Sequence, residues 1–145
     1  MPITVNIRPE HNLTILTHRG DVPDTEFLDF YQRFCQDDTF DFSRNLLVDL
    51  RETNSSLRST SALHQLAVFA REALGNHSRR PQIAIVAPAT LTFGFARMYE
   101  AFADSVPWEF MAFSALDAAL AWLGLPQDLL ERVPPKPGQR HPQDR

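Results

Sequence analysis

Five hydroxyl side chains lie close together in one segment, and they are the residues best suited to a chemical role. They are Ser55, Ser56, Ser59, Thr60 and Ser61. An apolar pattern typical of a buried strand precedes them, and a helical pattern follows. A hydroxyl at a helix start accepts hydrogen bonds from the free N–H groups of the first turn. Those N–H groups and the helix dipole also attract an anion or a phosphorylated side chain.

Three interpretations of this hydroxyl segment stay open. Capping by Ser59 or Thr60 accounts for one hydroxyl, but not for five. The alternatives are a phosphorylation site and an anion site, each formed by the run Arg58, Ser59, Thr60 and Ser61. A loop between a parallel strand and the following helix lies at the C-terminal edge of the sheet, where ligands bind in open α/β folds. The position therefore suits all three interpretations.

A second candidate is one face of a helix predicted within residues 92–102, TFGFARMYEAF. The spacing of Phe95, Met98 and Phe102 predicts an apolar stripe that packs into the core. Arg97 lies on another face of the predicted helix, together with Phe93 and Glu100. Arg97 and Glu100 could form a weak (i, i+3) surface ion pair. Alternatively, Phe93 and Arg97 anchor a partner protein, because aromatic residues and arginine are enriched at interfaces.

Other patterns with known chemistry are absent from the sequence. The five glycines are too scattered for a phosphate-binding loop, and no serine lies in a G-x-S-x-G elbow. The five histidines lack zinc-ligand spacing. Cys35 precedes Asp37 and Asp38, whose carboxylates would raise the pKa of its thiol. We expect no metal, no cofactor and no enzyme activity, although a triad assembled from distant residues leaves no sequence pattern.

Composition narrows the class of protein. The 145 residues suit one domain, and a net charge of −4 disfavours a nucleic-acid partner. The N-terminus does not resemble a signal peptide, and no apolar run is long enough to span a membrane. The single cysteine permits a reducing compartment. We expect a cytoplasmic protein.

Apolar periodicity predicts nine elements in the order β-β-α-β-α-β-α-β-α. The strands are predicted at residues 3–8, 13–19, 45–50, 82–87 and 109–113. Helices are predicted after an N-cap at Asp24, after a cap at Ser59 or Thr60, from about Thr90, and after a cap at Ser114. The short turn between the first two strands makes them antiparallel, and the remaining crossovers make the other strands parallel.

These elements predict a single α/β domain with a five-stranded, mixed but mostly parallel sheet and four main helices. The domain is expected to span residues 1–124. The composition changes after Gly124, where prolines and polar residues become frequent, so residues 125–145 are predicted to form a C-terminal tail.

The element order resembles that of the SpoIIAA-like (STAS-like) family over roughly residues 3–123. The resemblance also rests on the LLVDL strand before the hydroxyl segment, on the IAIVAP strand and on the FG-x-ARMYE segment, Phe93 to Glu100. The last segment is similar to one in uncharacterised bacterial SpoIIAA-like proteins. The resemblance implies a SpoIIAA-like fold and a regulatory role.

The resemblance also implies a role for the hydroxyl segment. In anti-sigma-factor antagonists of this family the corresponding segment reads Asp-Ser-Ser-Gly, and a partner kinase phosphorylates a serine there. Ser59 occupies the matching place within one or two positions. Arg58 stands where the family has an acid, and no glycine follows.

Two functions follow as expectations. The first is a non-enzymatic regulatory module that binds another protein or a second copy of itself, as a homodimer, through the hydroxyl segment and the Arg97 face. The second is a binding domain for a small apolar or anionic ligand, because the fold also resembles Sec-type lipid-transfer proteins in outline.

Overall fold

The computed structural model describes residues 3–37, 43–53, 60–74, 81–89 and 109–130. The five strands are β1 (Ile3–Arg8), β2 (Leu13–Gly20), β3 (Asn45–Thr53), β4 (Gln82–Val86) and β5 (Glu109–Phe113). The helices are α1 (Asp24–Gln36), α2 (Thr60–Leu74) and α3 (Leu116–Leu123), and a 3₁₀-helix spans Pro9–His11.

The strands form one sheet in the order β1-β2-β3-β4-β5. Strands β1 and β2 are antiparallel, and every other neighbouring pair is parallel. The β1–β2 turn ends at Asn12, which has a left-handed φ of 52° and whose carbonyl accepts a hydrogen bond from the Asn45 N–H at 3.0 Å. The predicted α/β class and the mixed, mostly parallel five-stranded sheet are confirmed.

The core lies on both faces of the sheet. On the first face, which we call the α1/α2 face, apolar residues of the strands pack against α1 and α2, with Leu16, Phe27, Val48 and Leu66 among the buried residues. On the opposite α3 face, the buried residues are Leu13, Ile15, Leu47, Ala84, Val86, Ala119, Leu120, Leu123 and Leu129. Helices on both faces explain why residues 46–50 of β3 and residues 83–86 of β4 are mostly apolar.

The C-terminal end of α3 is closed by a Schellman motif. Gly124 has a left-handed φ of 72°, its N–H donates to the Ala121 carbonyl, and the Leu125 N–H donates to the Leu120 carbonyl. The chain then returns over the α3 face, where Leu129 is buried. The division into a domain of residues 1–124 and a tail of residues 125–145 stays a prediction, because residues 131–145 lie outside the described residues.

Three details differ from the sequence-based expectation. Three α-helices rather than four lie within the described residues, because the helix predicted near residues 90–105 falls outside them. Pro23 and Ala115, rather than Asp24 and Ser114, cap α1 and α3, and neither cap makes a side-chain hydrogen bond. Strand β3 continues to Thr53 instead of ending at Leu50.

Candidate functional site

The extension of β3 creates a distinct edge at the C-terminal end of the parallel strands. The last β3–β4 pair joins Asp49 to Val86, whereas β3 stays paired with β2 as far as Gly20 and Thr53. Residues 50–53 therefore extend past the end of the β3–β4 ladder. Open α/β sheets bind their ligands beyond this end of the strands. We call residues 49–53 together with Arg19 the β3 edge.

A bulge in β3 shapes this edge. Thr17 pairs with Asp49, and the next pair joins Arg19 to Glu52, so β3 has one residue more than β2 between the two pairs. The two residues opposite His18 are Leu50 and Arg51. A bulge bends a strand and redirects a side chain. Here Leu50 is buried in the core, whereas the Arg51 side chain is 45% exposed.

Asp49 is a nearly buried carboxylate held entirely within β3. Its side chain is 8% exposed, and its Oδ1 accepts hydrogen bonds from the Arg51 backbone N–H at 3.1 Å and from Arg51 Nε at 2.9 Å. The Arg51 Nη2 donates to Asp49 Oδ2 at 2.9 Å. Such a two-pronged pair fixes the plane of the guanidinium as well as its position. The pair therefore fixes the orientation of the remaining N–H donors of Arg51, whose side chain is 45% exposed.

The charge of Arg51 is stabilised in this arrangement. The hydrogen bond with Asp49 raises the pKa of the Arg51 guanidinium above its ordinary value, the charges of Asp49 and Glu52 act in the same direction, and partial burial opposes them. Asp49 engages two of the five N–H donors that a guanidinium carries. Arg51 is thus a fixed cation that can still donate hydrogen bonds to a binding partner.

A second ion pair crosses from β3 to β2. Arg19 Nε donates to Glu52 Oε2 at 2.6 Å, and their side chains are 36% and 57% exposed. Beyond them the Thr53 hydroxyl donates to the Gly20 carbonyl at 2.9 Å. Gly20 has a left-handed φ of 66°, which a larger residue would adopt only with strain. These contacts hold the end of β3 in an extended conformation before the hydroxyl segment begins.

The structure places only part of the predicted hydroxyl site. Helix α2 begins at Thr60, and exposed Ser61 accepts a hydrogen bond from Gln65 Nε2 at 3.3 Å. Arg58 and Ser59 lie outside the described residues, so the capping residue of α2 is not assigned. Six residues, 54–59, separate the end of β3 from the start of α2.

The second predicted site, Phe93, Arg97 and Glu100, lies wholly outside the described residues. The β3 edge, in contrast, was not singled out from the sequence. Its signal was the placement of Asp49 in an otherwise apolar strand with Arg51 two residues later, a spacing that brings alternate side chains to one side of a strand.

Cys35 has a protected thiol. Burial raises the pKa of Cys35 to about 12, and the carboxylate of Glu72 adds to the effect. The direction agrees with the sequence-based expectation, but the cause differs. Burial rather than a neighbouring charge dominates, and Glu72 of α2 contributes a carboxylate that the sequence did not indicate, whereas Asp38 lies outside the described residues.

A buried polar pair links β2 to α1. His18 is 3% exposed, and its Nε2 lies 2.9 Å from the Tyr31 hydroxyl. The ring of Tyr31 also packs against Phe27, with ring centroids 4.9 Å apart. The contact satisfies polar atoms inside the α1/α2 face and positions α1 on the sheet.

Within the described ranges, no three His, Cys, Asp or Glu side chains form a group able to hold a metal ion. None of the helices in that part of the chain has both the length and the apolar character needed to cross a membrane.

Comparison with known proteins identifies the fold. No protein-family model matches the sequence, and no curated protein matches it significantly. The structure is similar to that of an uncharacterised protein of the DUF3478 family from Shewanella loihica, which has a SpoIIAA-like fold. The TM-score is 0.53 at 16% identity, over 83% of this chain and 91% of that one.

An anti-sigma factor antagonist from Mycobacterium paratuberculosis is similar to the same extent. Its TM-score is 0.52 at 17% identity, over 84% of this chain and 92% of that one. SiaC of Pseudomonas aeruginosa aligns with a TM-score of 0.41 at 19% identity, over 77% of this chain and 90% of that one. The chain therefore has a SpoIIAA-like fold, and identities this low establish the fold alone.

Proposed function

We propose that this protein is a non-enzymatic, STAS-like regulatory module that binds another protein through the β3 edge. The observation that carries the proposal is the extension of β3 past β4, which presents Arg51 and Glu52 as exposed charges in fixed positions. The similarity to an anti-sigma factor antagonist supports a regulatory partner. Arginine held in one orientation is a frequent anchor at protein interfaces.

The chemistry of the edge favours binding over catalysis. A general base must be able to take a proton, but the Asp49 carboxylate already accepts three hydrogen bonds from Arg51. Glu52, which is more exposed, accepts one hydrogen bond from Arg19. Charged side chains at a surface contribute to binding specificity. A partner whose surface places like charges opposite them is repelled.

Charge reversal at the edge tests the proposal. Glu52→Arg replaces a 57% exposed carboxylate that is paired with an arginine. Asp29→Arg is a matched control, because Asp29 is 58% exposed and paired with Arg33 on α1. Wild type and Asp29→Arg should retain the same protein from native lysate in stoichiometric amount, and Glu52→Arg should lose it. Equal retention by all three proteins would refute a role for the β3 edge.

We also propose that the run Arg58, Ser59, Thr60 and Ser61 is a phosphorylation or anion site next to this edge. A phosphate there would lie between the charged end of β3 and the start of α2, and so would change what the edge can bind. Ser59→Ala should abolish phosphate incorporation from lysate, and Ser59→Asp should change partner affinity, whereas Ser114→Ala, at an exposed serine outside the run, should do neither. Unchanged affinity and absence of labelling in wild type would exclude the switch.

The face formed by Phe93, Arg97 and Glu100 is proposed as a second contact area. Arg97→Ala should weaken the same complex without affecting the circular dichroism spectrum. A small apolar or anionic ligand is the competing function, and native mass spectrometry distinguishes it. A retained non-protein mass together with unchanged protein capture by Glu52→Arg would favour the ligand-binding function.

A further inference from the structure

Strand β1 presents an open and partly apolar edge. In the part of the chain that the structure describes, it pairs with β2 alone and stands first in the strand order. Val5 is 37% exposed and Ile7 is 41% exposed. Among the described residues, the one other exposed large apolar residue is Met111 of β5. Val5 and Ile7 are two residues apart, so both side chains lie on the same face of the strand.

The usual protections of an edge strand are missing from the centre of β1. Natural edge strands avoid unwanted pairing by lysine, proline, bulges or very short length. β1 has six residues, its register with β2 is unbroken from Ile3 to Arg8, and its first charged residue is Arg8 at the end. The outward N–H and C=O groups of such a regular edge strand can form backbone hydrogen bonds with another strand.

We propose that the occupant of this edge is β1 of a second copy of the chain, paired antiparallel about a two-fold axis at Asn6. In this register Val5 lies opposite Ile7 of the second copy, and Ile7 lies opposite its Val5. Directly opposite residues share a face, so the four apolar side chains form one cluster. On the other face, Asn6 lies opposite Asn6 of the second copy, and Thr4 lies opposite its Arg8.

Charge favours this orientation and this partner. Arg8 falls opposite Thr4 of the second copy, so the two Arg8 side chains lie four residues apart along the strands, roughly 14 Å. An in-register parallel pair would place them side by side, which is destabilising for like charges. An isologous pair also closes on itself and does not grow into a fibre.

This inference goes beyond the proposed function, because it adds self-association through β1 and leaves the β3 edge free. The register can be tested by disulfide cross-linking in a Cys35→Ala background, where the introduced cysteine is the only thiol. Asn6→Cys places two thiols directly opposite each other, within disulfide reach. Thr4→Cys is the control, because its two thiols would be separated by roughly 14 Å.

Under mild oxidation Asn6→Cys should form a covalent dimer, and Thr4→Cys should form none. Cross-linking of both variants would indicate a parallel pair, and cross-linking of neither would indicate that β1 does not pair. Either result would overturn the proposal.

Sedimentation of the full chain gives an independent test. Wild type should dimerise in the micromolar range, and Ile7→Asp should weaken the dimer by about tenfold or more, because a buried unpaired carboxylate is costly. Met111→Asp is the matched control, since Met111 is 44% exposed on β5. A monomeric wild type, or a dimer weakened only by Met111→Asp, would refute the inference, and the Glu52→Arg experiment would still decide the proposed function.

Discussion

Removal of the Arg51 guanidinium by Arg51→Ala should lower the free energy of unfolding by about 2–3 kcal/mol. The change breaks two hydrogen bonds of 2.9 Å to a carboxylate that is 8% exposed. A hydrogen bond to a charged group contributes about 1.5–3 kcal/mol, and an isolated buried charge is costly to retain. Asp49 keeps its bond from the Arg51 backbone N–H, and water reaches the 45% exposed side of the pair. Both effects reduce the loss below the simple sum.

Urea unfolding measures this loss from the shift in midpoint at constant m-value. Arg19→Ala is the comparison, because the Arg19–Glu52 pair is exposed and should contribute less than about 1 kcal/mol. In an Asp49→Asn background, Arg51→Ala should cost clearly less, because the buried charge is gone. A loss below about 0.5 kcal/mol for Arg51→Ala, or equal losses for the two arginines, would refute the assignment of Asp49 and Arg51 as the pair that fixes the edge.

Three further predictions concern the core. Tyr31→Phe should destabilise the fold by about 1–2 kcal/mol in urea unfolding, since it removes the hydroxyl that His18 contacts at 2.9 Å. Because the pKa of Cys35 is raised from 9.0 to about 12, its contribution to stability is complete below pH 9 and is lost as pH rises toward 12. Stability should therefore fall more steeply across that window in wild type than in Cys35→Ala, and alkylation of the native thiol at pH 8 should be slow. Leu129→Ala should cost about 3 kcal/mol in thermal or urea unfolding, because Leu129 is 3% exposed in the α3 face.

Much of the fold could be predicted from local patterns. Alternating apolar residues located β1, the short turn after it required an antiparallel partner, and the apolar runs of β3 and β4 indicated a sheet covered on both faces. The predicted limits of β5 agree with the structure. These features depend on residues close together in the sequence, so a single chain is sufficient to reveal them.

The end of β3 could not be predicted in this way. Arg51 and Glu52 are polar and suggest a loop, but a bulge and two ion pairs keep them in the strand. One of those pairs depends on Arg19, which lies 33 residues away from Glu52. The protection of Cys35 has a similar origin, because its burial and the electrostatic effect of Glu72 on its thiol arise when α1 and α2 pack together.

A photo-cross-linking side chain at position 52 gives the most direct test of the β3 edge as the partner-binding surface. The same side chain at position 29 of α1 is the control, because Glu52 and Asp29 are almost equally exposed, at 57% and 58%. After irradiation in native lysate, the variant at position 52 should be joined to one discrete protein, and the variant at position 29 should not. Equal cross-linking at both positions, or none at position 52 while a partner is retained, would contradict the proposed function.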